Sequence, residues 1–296
     1  MSHDQIIVPS GSFEALGGSA AYVSLVASRL GLSVGILSTV GRDFKEDYSE
    51  TLAEAGVDTA GVIRTPGRTT SFRNIYNEGR LRRQELLALS HSIRSTDLPA
   101  QYYGSAGIHF GPLLDEIDPR AIPMWSGGAD FPSLDLQGLC RDSKVGRPVI
   151  PARSPRLNTC LKAVEMVKAT SSEALIVTGE KDASRASARL HESGPEIVLT
   201  TLGRQGALLS YRGRIEEVPA FPPAELIDPT GAGDAFVGGF LYSYLQTGDV
   251  YRSVLIGSCV ASFVVEDVGP RRIPSPEMLK KRLRDSGYDL RLDTRS

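Results

Sequence analysis

Apolar residues recur along the chain in two rhythms. Ala20, Val23, Ala27 and Leu30 fall at helical spacing within residues 17–31, and Gly31 suits the left-handed residue that closes a helix. The same spacing predicts helices through Leu52 and Ala55 ending at Gly56, over Asp182–Leu190, over Ala235–Leu245, over Tyr251–Val265 and over Pro276–Leu283. Short, largely apolar runs predict buried strands at Val34–Val40 and at Gly107–Phe110, the latter running into a Gly111–Pro112 turn. Glu196–Leu209 reads as strand, tight turn, strand about Gly203–Gly206. Thr69–Asn77 alternates and is rich in β-branched and aromatic residues, so it is strand-like. Asn77-Glu78-Gly79 suits a hairpin turn into Arg80–Leu86, where Arg82 and Arg83 are phosphate contacts or a solvated strand face. Gln5–Val8 reads as another strand. Asp43 with Glu46 has the spacing of a capping box. Ser171 or Ser172 reads as a helix cap with Glu173 as the first-turn acid.

Composition narrows the class of protein. A chain of 296 residues suits one large α/β domain or two small ones, and 41% hydrophobic content is ordinary for a globular fold. A net charge of −2 argues against nucleic-acid or acidic-membrane partners. No apolar run reaches bilayer-spanning length, and Met1-Ser2-His3-Asp4 lacks the basic start of a signal peptide. Cys140, Cys160 and Cys259 have no metal-like spacing and fit a reducing compartment, so a cytoplasmic location is expected. There is no Walker A string and no Gly-x-Gly-x-x-Gly.

The chemistry concentrates in Ile227-Asp228-Pro229-Thr230-Gly231-Ala232-Gly233-Asp234-Ala235-Phe236. Pro229 disfavours helix at Asp228, so the following helix is expected to begin within Gly231–Gly233. A helix start presents unpaired N–H groups and a positive dipole end, and small residues let a phosphate approach them. Asp234 would then stand in the first turn beside the anion, placed to take a proton from an attacking hydroxyl. The competing reading is a glycine-rich helix start with Asp234 as an ordinary first-turn acid.

Asp-x-Thr-Gly-Ala-Gly-Asp ahead of an apolar helix resembles the signature of the PfkB, or ribokinase-like, carbohydrate kinases. The resemblance implies an anion hole at Gly231, Ala232 and Gly233, with Asp234 as catalytic base. It also makes Asp228 and Thr230 candidate ligands for a monovalent cation such as K⁺, against a turn merely stiffened by Pro229. Gly17-Gly18 and the Arg29-Leu30-Gly31 helix end resemble the family's second signature, in which the paired glycines let substrate approach; Tyr22 stands where sugar kinases usually carry a substrate-binding Asn. Asp4 aligns with a substrate Asp that family members place after an apolar strand. Here the fold does without that strand, another segment fills its place, or the natural start lies upstream. The alternative for Asp4 is a solvated acid near a terminus.

Asp135-Leu136-Gln137-Gly138-Leu139-Cys140-Arg141 resembles the Asp-x-Asn-x-x-x-Arg type segment of a branch that includes inositol kinases, with Gln137 for Asn. Gln137 and Arg141 become substrate candidates; a salt bridge is the other reading of Arg141. Lys168-Ala169-Thr170-Ser171-Ser172-Glu173 resembles Lys-x-Asn-x-x-Glu, implying an outer-shell role for Glu173 at Mg²⁺ and a nucleotide-side role for Thr170. Thr201, Gly203 and Gly206 resemble the Thr-x-Gly-x-x-Gly nucleotide segment. His109 is a substrate contact or a core histidine. The small face Ser258, Cys259, Ala261 and Ser262 is room for adenine or close helix packing.

The implied fold is a ribokinase-like three-layer α/β/α sandwich with a small β-sheet lid. Residues 17–60 and 90–296 would form the nucleotide- and substrate-binding domain, and 5–16 with 61–89 a discontinuous lid that keeps water from the γ-phosphate. The implied activity is ATP-dependent phosphorylation of a small polyol or sugar, inositol-like first, with a ribose, fructose or nucleoside kinase as the alternative. A homodimer paired through the lids is a further expectation. A sugar- or nucleotide-binding regulator without catalysis is the rival from another class, and a PLP-forming vitamin kinase a weaker one.

Overall fold

The computed structural model describes residues 1–77, 80–114, 116–118 and 120–290. The turn at Glu78-Gly79 and the side chain of Arg82 lie outside the described residues. The chain forms two compact units, one from Met1–Ser90 with Ala220–Ser296 and one from His91–Pro219. These boundaries cut the chain elsewhere than the lid and domain boundaries expected from sequence.

The first unit opens with β1 (Ser2–Val8) and β2 (Gly11–Gly17), an antiparallel pair in which Ser2 faces Gly17 and Asp4 faces Ala15. Asp4 is therefore inside a strand that starts at Ser2, two residues ahead of Asp4. It is 4% exposed, so it is no frayed, solvated acid. Gly17 ends β2, and α1 (Ser19–Leu30) follows with Gly18 as N-cap. Next come β3 (Gly35–Val40), α2 (Glu46–Glu54) and β4 (Asp58–Arg64), with β3 and β4 paired in parallel. The expected capping box at Asp43 does not form: Lys45 occupies the N-cap without a side-chain bond. Asp43 Oδ1 instead accepts from the Thr69 N–H at 2.7 Å and the Thr69 hydroxyl at 2.9 Å. A long-range partner has taken the acid that a local pattern assigned to the helix. Strands β5 (Ser71–Asn77) and β6 (Arg80–Ala88) complete a set that runs β6-β5-β1-β2.

The second unit is built on a sheet. β7 (Ile108–Phe110) and α3 (Ala121–Ser126) precede β8 (Pro132–Asp135). Two-residue strands β9 (Arg141–Asp142), β10 (Arg147–Pro148) and β11 (Ile150–Pro151) lead to α4 (Leu157–Leu161). Then follow β12 (Met166–Thr170), α5 (Ser171–Thr178), α6 (Ala183–His191), β13 (Ile197–Thr201), β14 (Ala207–Tyr211) and β15 (Arg214–Val218). The sheet order is β15-β14-β13-β12-β8-β7, parallel from β7 to β13 and antiparallel beyond. β8, β12 and β13 are buried almost throughout, and they carry buried polar residues, Ser133, Asp135, Lys168 and Thr200, among the apolar ones.

The chain returns to the first unit with α7 (Ala232–Thr247), α8 (Val250–Val264) and α9 (Pro276–Asp285). α7 packs tightly on both α1 and α8. A Cβ on Gly238 would lie 2.7 Å from Val26 of α1, and one on Gly257 would lie 2.5 Å from the Phe236 carbonyl. Cys259 is fully buried, and Ser262 Oγ donates to the Cys259 carbonyl within α8 at 2.7 Å and accepts from Arg282 of α9 at 2.8 Å, so part of this small-residue face packs against a neighbouring helix. All three cysteines are buried and free. Among the described residues no helix is long and apolar enough to cross a membrane.

Candidate active site

In the first unit the candidate residues are gathered by distant segments. Gly231 is the N-cap of α7 and adopts φ 75°. Left-handed backbone is cheap for glycine and costly for other residues. The helix begins at Ala232, so the N–H groups of Ala232, Gly233 and Asp234 belong to its first turn, as the Pro229 argument expects. Asp234 lies in that turn and is 8% exposed. The Tyr22 ring lies flat against Gly231: a Cβ there would come within 2.3 Å of the ring. Glycine at 231 is thus required twice, for its backbone angle and for the ring upon it.

The Tyr22 side chain is fully buried, and its hydroxyl has no hydrogen-bond partner. Burial raises its pKa well above the ordinary 10, and the negative charges of Asp228, Asp4 and Asp234 push it further the same way. The phenol therefore stays protonated and retains a donor to offer. Ser2 and Ser19 also hold buried hydroxyls without partners. A buried unpaired hydroxyl costs free energy unless something bonds it. Asp4 Oδ1 accepts from the Phe72 N–H at 3.1 Å, and the carboxylate lies so close to Gly17 that a Cβ there would meet Oδ2 at 2.5 Å.

Asp228 is fully buried. Its Oδ1 accepts from the Thr230 N–H at 2.9 Å and the Thr230 hydroxyl at 2.6 Å, and its Oδ2 accepts from the Gly269 N–H at 3.2 Å. Burial raises its pKa while these bonds oppose the rise. Both oxygens thus serve the chain's own donors, and each carboxylate oxygen has further acceptor capacity.

The second unit holds the remaining candidates, and most of their polar groups have partners within the unit, although the buried His109 Nε2 has none. Thr170 caps α5: its hydroxyl accepts from the Glu173 N–H at 3.2 Å, while Glu173 accepts from the Thr170 N–H at 2.7 Å. The cap is thus Thr170, not Ser171 or Ser172, because β12 ends there and leaves Thr170 extended. One Glu173 oxygen is engaged in this box, which leaves the other without a hydrogen-bond partner among the described residues. Among the described residues no cluster of acids, histidines or cysteines could hold a metal ion unaided. Thr170 and Thr201 end neighbouring parallel strands in register. Gly203 and Gly206 bracket a single 3₁₀ turn, closed by the Leu202 N–H on the Gly206 carbonyl at 2.7 Å.

Asp135 carries a buried ion pair with Lys168 at 2.8 Å, and its Oδ1 accepts from the Gln137 N–H at 2.9 Å. The Arg141 guanidinium donates to the Leu113 carbonyl. His109 Nδ1 pairs with Ser133 Oγ at 3.0 Å, and burial lowers its pKa to about 4, so the ring is neutral.

Sequence reasoning missed Ser2, Ser19, Tyr76 and Gly269. Val268-Gly269-Pro270 reads only as a helix stop, and Tyr76 only as an alternating strand residue. No local pattern announces a hydroxyl that bonds a residue 154 positions away, as Tyr76 does at Thr230.

Comparison with known proteins settles the class. The model of the pfkB family of carbohydrate kinases matches residues 8–101 and 135–278, and the chain belongs to that family. It is thus a phosphotransferase, a kinase of the sugar and nucleoside type. A protein described as a cytidine kinase from Thermococcus kodakarensis is 30% identical over 261 residues, covering 87% of this chain and 90% of the relative. An inositol 3-kinase from Oryza sativa subsp. japonica is 30% identical over 286 residues, covering 90% of this chain and 66% of the relative. A solved pyrophosphate-dependent kinase of the ribokinase family, complexed with a pyrophosphate analogue and myo-inositol, superposes with a TM-score of 0.80. The match has 22% identity and covers 96% of this chain and 97% of that one. The fold is the ribokinase-like α/β fold.

Proposed function

We propose that the protein phosphorylates a hydroxyl of a small polyol, inositol-like in its run of adjacent hydroxyls, with Mg-ATP as donor. The observation that carries this reading is the buried Tyr22 hydroxyl, which lacks a partner and feels the carboxylates of Asp4, Asp228 and Asp234. A ligand hydroxyl can accept from Tyr22 and donate to a carboxylate at once, so a ring bearing neighbouring hydroxyls answers both needs. Ser2 and Ser19 add two more buried hydroxyls to the same end of the unit.

Asp234 takes the proton of the attacking hydroxyl as the terminal phosphoryl group transfers. The amides at Gly231, Ala232 and Gly233 receive the developing negative charge, the Ala232 N–H exchanging its 3.3 Å bond to the Pro229 carbonyl for the phosphoryl group. Asp4 and Gly18, with Gln137 and Arg141 in the second unit, are the further substrate candidates. Thr201, Gly203 and Gly206 are proposed for the nucleotide. Thr170 serves that side by holding Glu173, which orients water around Mg²⁺; the ion supplies charge neutralisation on the donor's phosphates. We assign no step to a monovalent cation.

A second reading, a nucleoside kinase, is favoured by the similarity to the cytidine kinase. One assay separates them. Phosphate transfer is followed with myo-inositol, ribose, fructose, glucose, cytidine and adenosine as acceptors, each with ATP and with pyrophosphate as donor. Turnover on myo-inositol well above cytidine supports the polyol reading. The reverse order replaces it with the nucleoside reading. ATP binding with no turnover on any acceptor would favour a non-catalytic binding protein.

A further inference from the structure

The turn that carries Thr230 and Gly231 is held from outside. The Ile227 and Asp228 N–H groups donate to the Val265 carbonyl at 2.8 and 3.2 Å. Ile227 packs with Phe13 and Tyr76 against a buried cluster of Ile6, Val8, Ala15 and Val268. Gly269, the residue after Val268, presses on Ala15 so closely that a Cβ would fall 2.7 Å from that side chain. Strands β1, β2 and β5 therefore form the wall against which the turn is set.

At the end of β5 the Tyr76 hydroxyl lies 2.9 Å from Thr230 Oγ1. Thr230 has a single hydroxyl proton. The 2.6 Å contact with Asp228 Oδ1 claims it, because a carboxylate can only accept. Tyr76 is then the donor to Thr230. The bonds run in one direction, from Tyr76 to Thr230 to Asp228, and Asp228 also anchors Gly269. Thr230 immediately precedes Gly231, the left-handed residue from which α7 starts.

Resting on the reading of Gly231–Gly233 as the anion hole, we propose that Tyr76 is a positioning residue for phosphoryl transfer. It fixes Thr230 and so aims the amide cradle from the strand wall, which helix α7 alone would not do. Tyr76→Phe isolates this role, since the ring and its apolar contacts remain and only the hydroxyl is lost.

The test is a double-mutant cycle on the full chain with Tyr76→Phe, Thr230→Val and their combination. Thr230→Ser serves as the conservative variant. Acceptor and donor KM, kcat and amide hydrogen exchange over residues 228–236 are measured for each. Tyr76→Phe is expected to lower kcat by about tenfold while acceptor KM stays within about twofold, because a misaimed donor weakens the transition state more than the ground state. The double variant should be no slower than Thr230→Val, and Thr230→Ser should retain wild-type turnover. Exchange in the segment should rise several-fold in Tyr76→Phe. Unchanged exchange in Tyr76→Phe, or losses in kcat that multiply in the double variant, would overturn the proposal. A wild-type chain that transfers phosphate to nothing would remove the kinase reading of this site. The exchange result would still decide whether Tyr76 sets the turn.

Discussion

The turn at residues 227–236 and the segments around Thr170 and Gly203 differ in how their polar groups are held. In the turn, partners come from far along the chain: Tyr22 on Gly231, Tyr76 on Thr230, Gly269 on Asp228. Some of its neighbours are left with buried hydroxyls that nothing in the protein bonds. Around Thr170 and Gly203 most partners sit three or four residues away, in a capping box and a single 3₁₀ turn, and only the Thr201 hydroxyl reaches across to the Ala169 carbonyl. The first region leaves buried hydroxyls unsatisfied at a cost in stability, the capacity that the proposed function assigns to a ligand. The second spends its capacity on its own backbone. Substitutions should therefore cost activity in the first and mainly folding in the second.

The largest expected effect follows from Asp234→Asn, which keeps the shape and removes the base; kcat should fall about a thousandfold, in line with general-base contributions. A loss under tenfold in a steady-state assay would leave Asp234 as an ordinary first-turn acid. Next is Gly231→Ala, which meets both a φ of 75° and the Tyr22 ring. It should destabilise the protein by roughly 2–4 kcal/mol in denaturant unfolding, from backbone strain and overpacking together, and depress kcat in the folded fraction. Wild-type stability would mean that the ring on Gly231 yields easily. The smallest effect belongs to Thr170→Ala. Loss of the cap should cost about 1 kcal/mol, with donor KM changed by less than about threefold. A tenfold rise in donor KM would show Thr170 touching the donor itself, and the contrast between the regions would blur.

The same contrast explains what could be read before the structure. The start of α7 was legible because Pro229 and Gly231 act on their own neighbours. The Gly31 helix end and the Gly203–Gly206 turn were legible for the same reason. Ser171 and Ser172 hid the true cap because each is a good cap former, and only the end of β12 decides between them and Thr170. Asp43 had the local pattern of a capping box, but Thr69 won it from 26 residues away. For Asp4 the sequence left a substrate acid beside a solvated terminal one, and only the pairing of β1 with its neighbours, which buries it, removes the second. Tyr76 and Gly269 carried no local signal at all, since their partners are set by how the strands meet the turn. The boundaries of the two compact units were hidden for that reason too.

The central claim is that the first unit's unpaired hydroxyls are kept for a ligand, and Tyr22→Phe tests it most directly. Folding stability and acceptor KM are measured on the same preparations. Removing an unsatisfied buried hydroxyl should leave stability equal or raise it by about 1 kcal/mol, while the lost hydrogen bond raises acceptor KM by about fivefold. Unchanged KM together with a less stable fold would show that Tyr22 serves the protein's own packing, and would contradict the account.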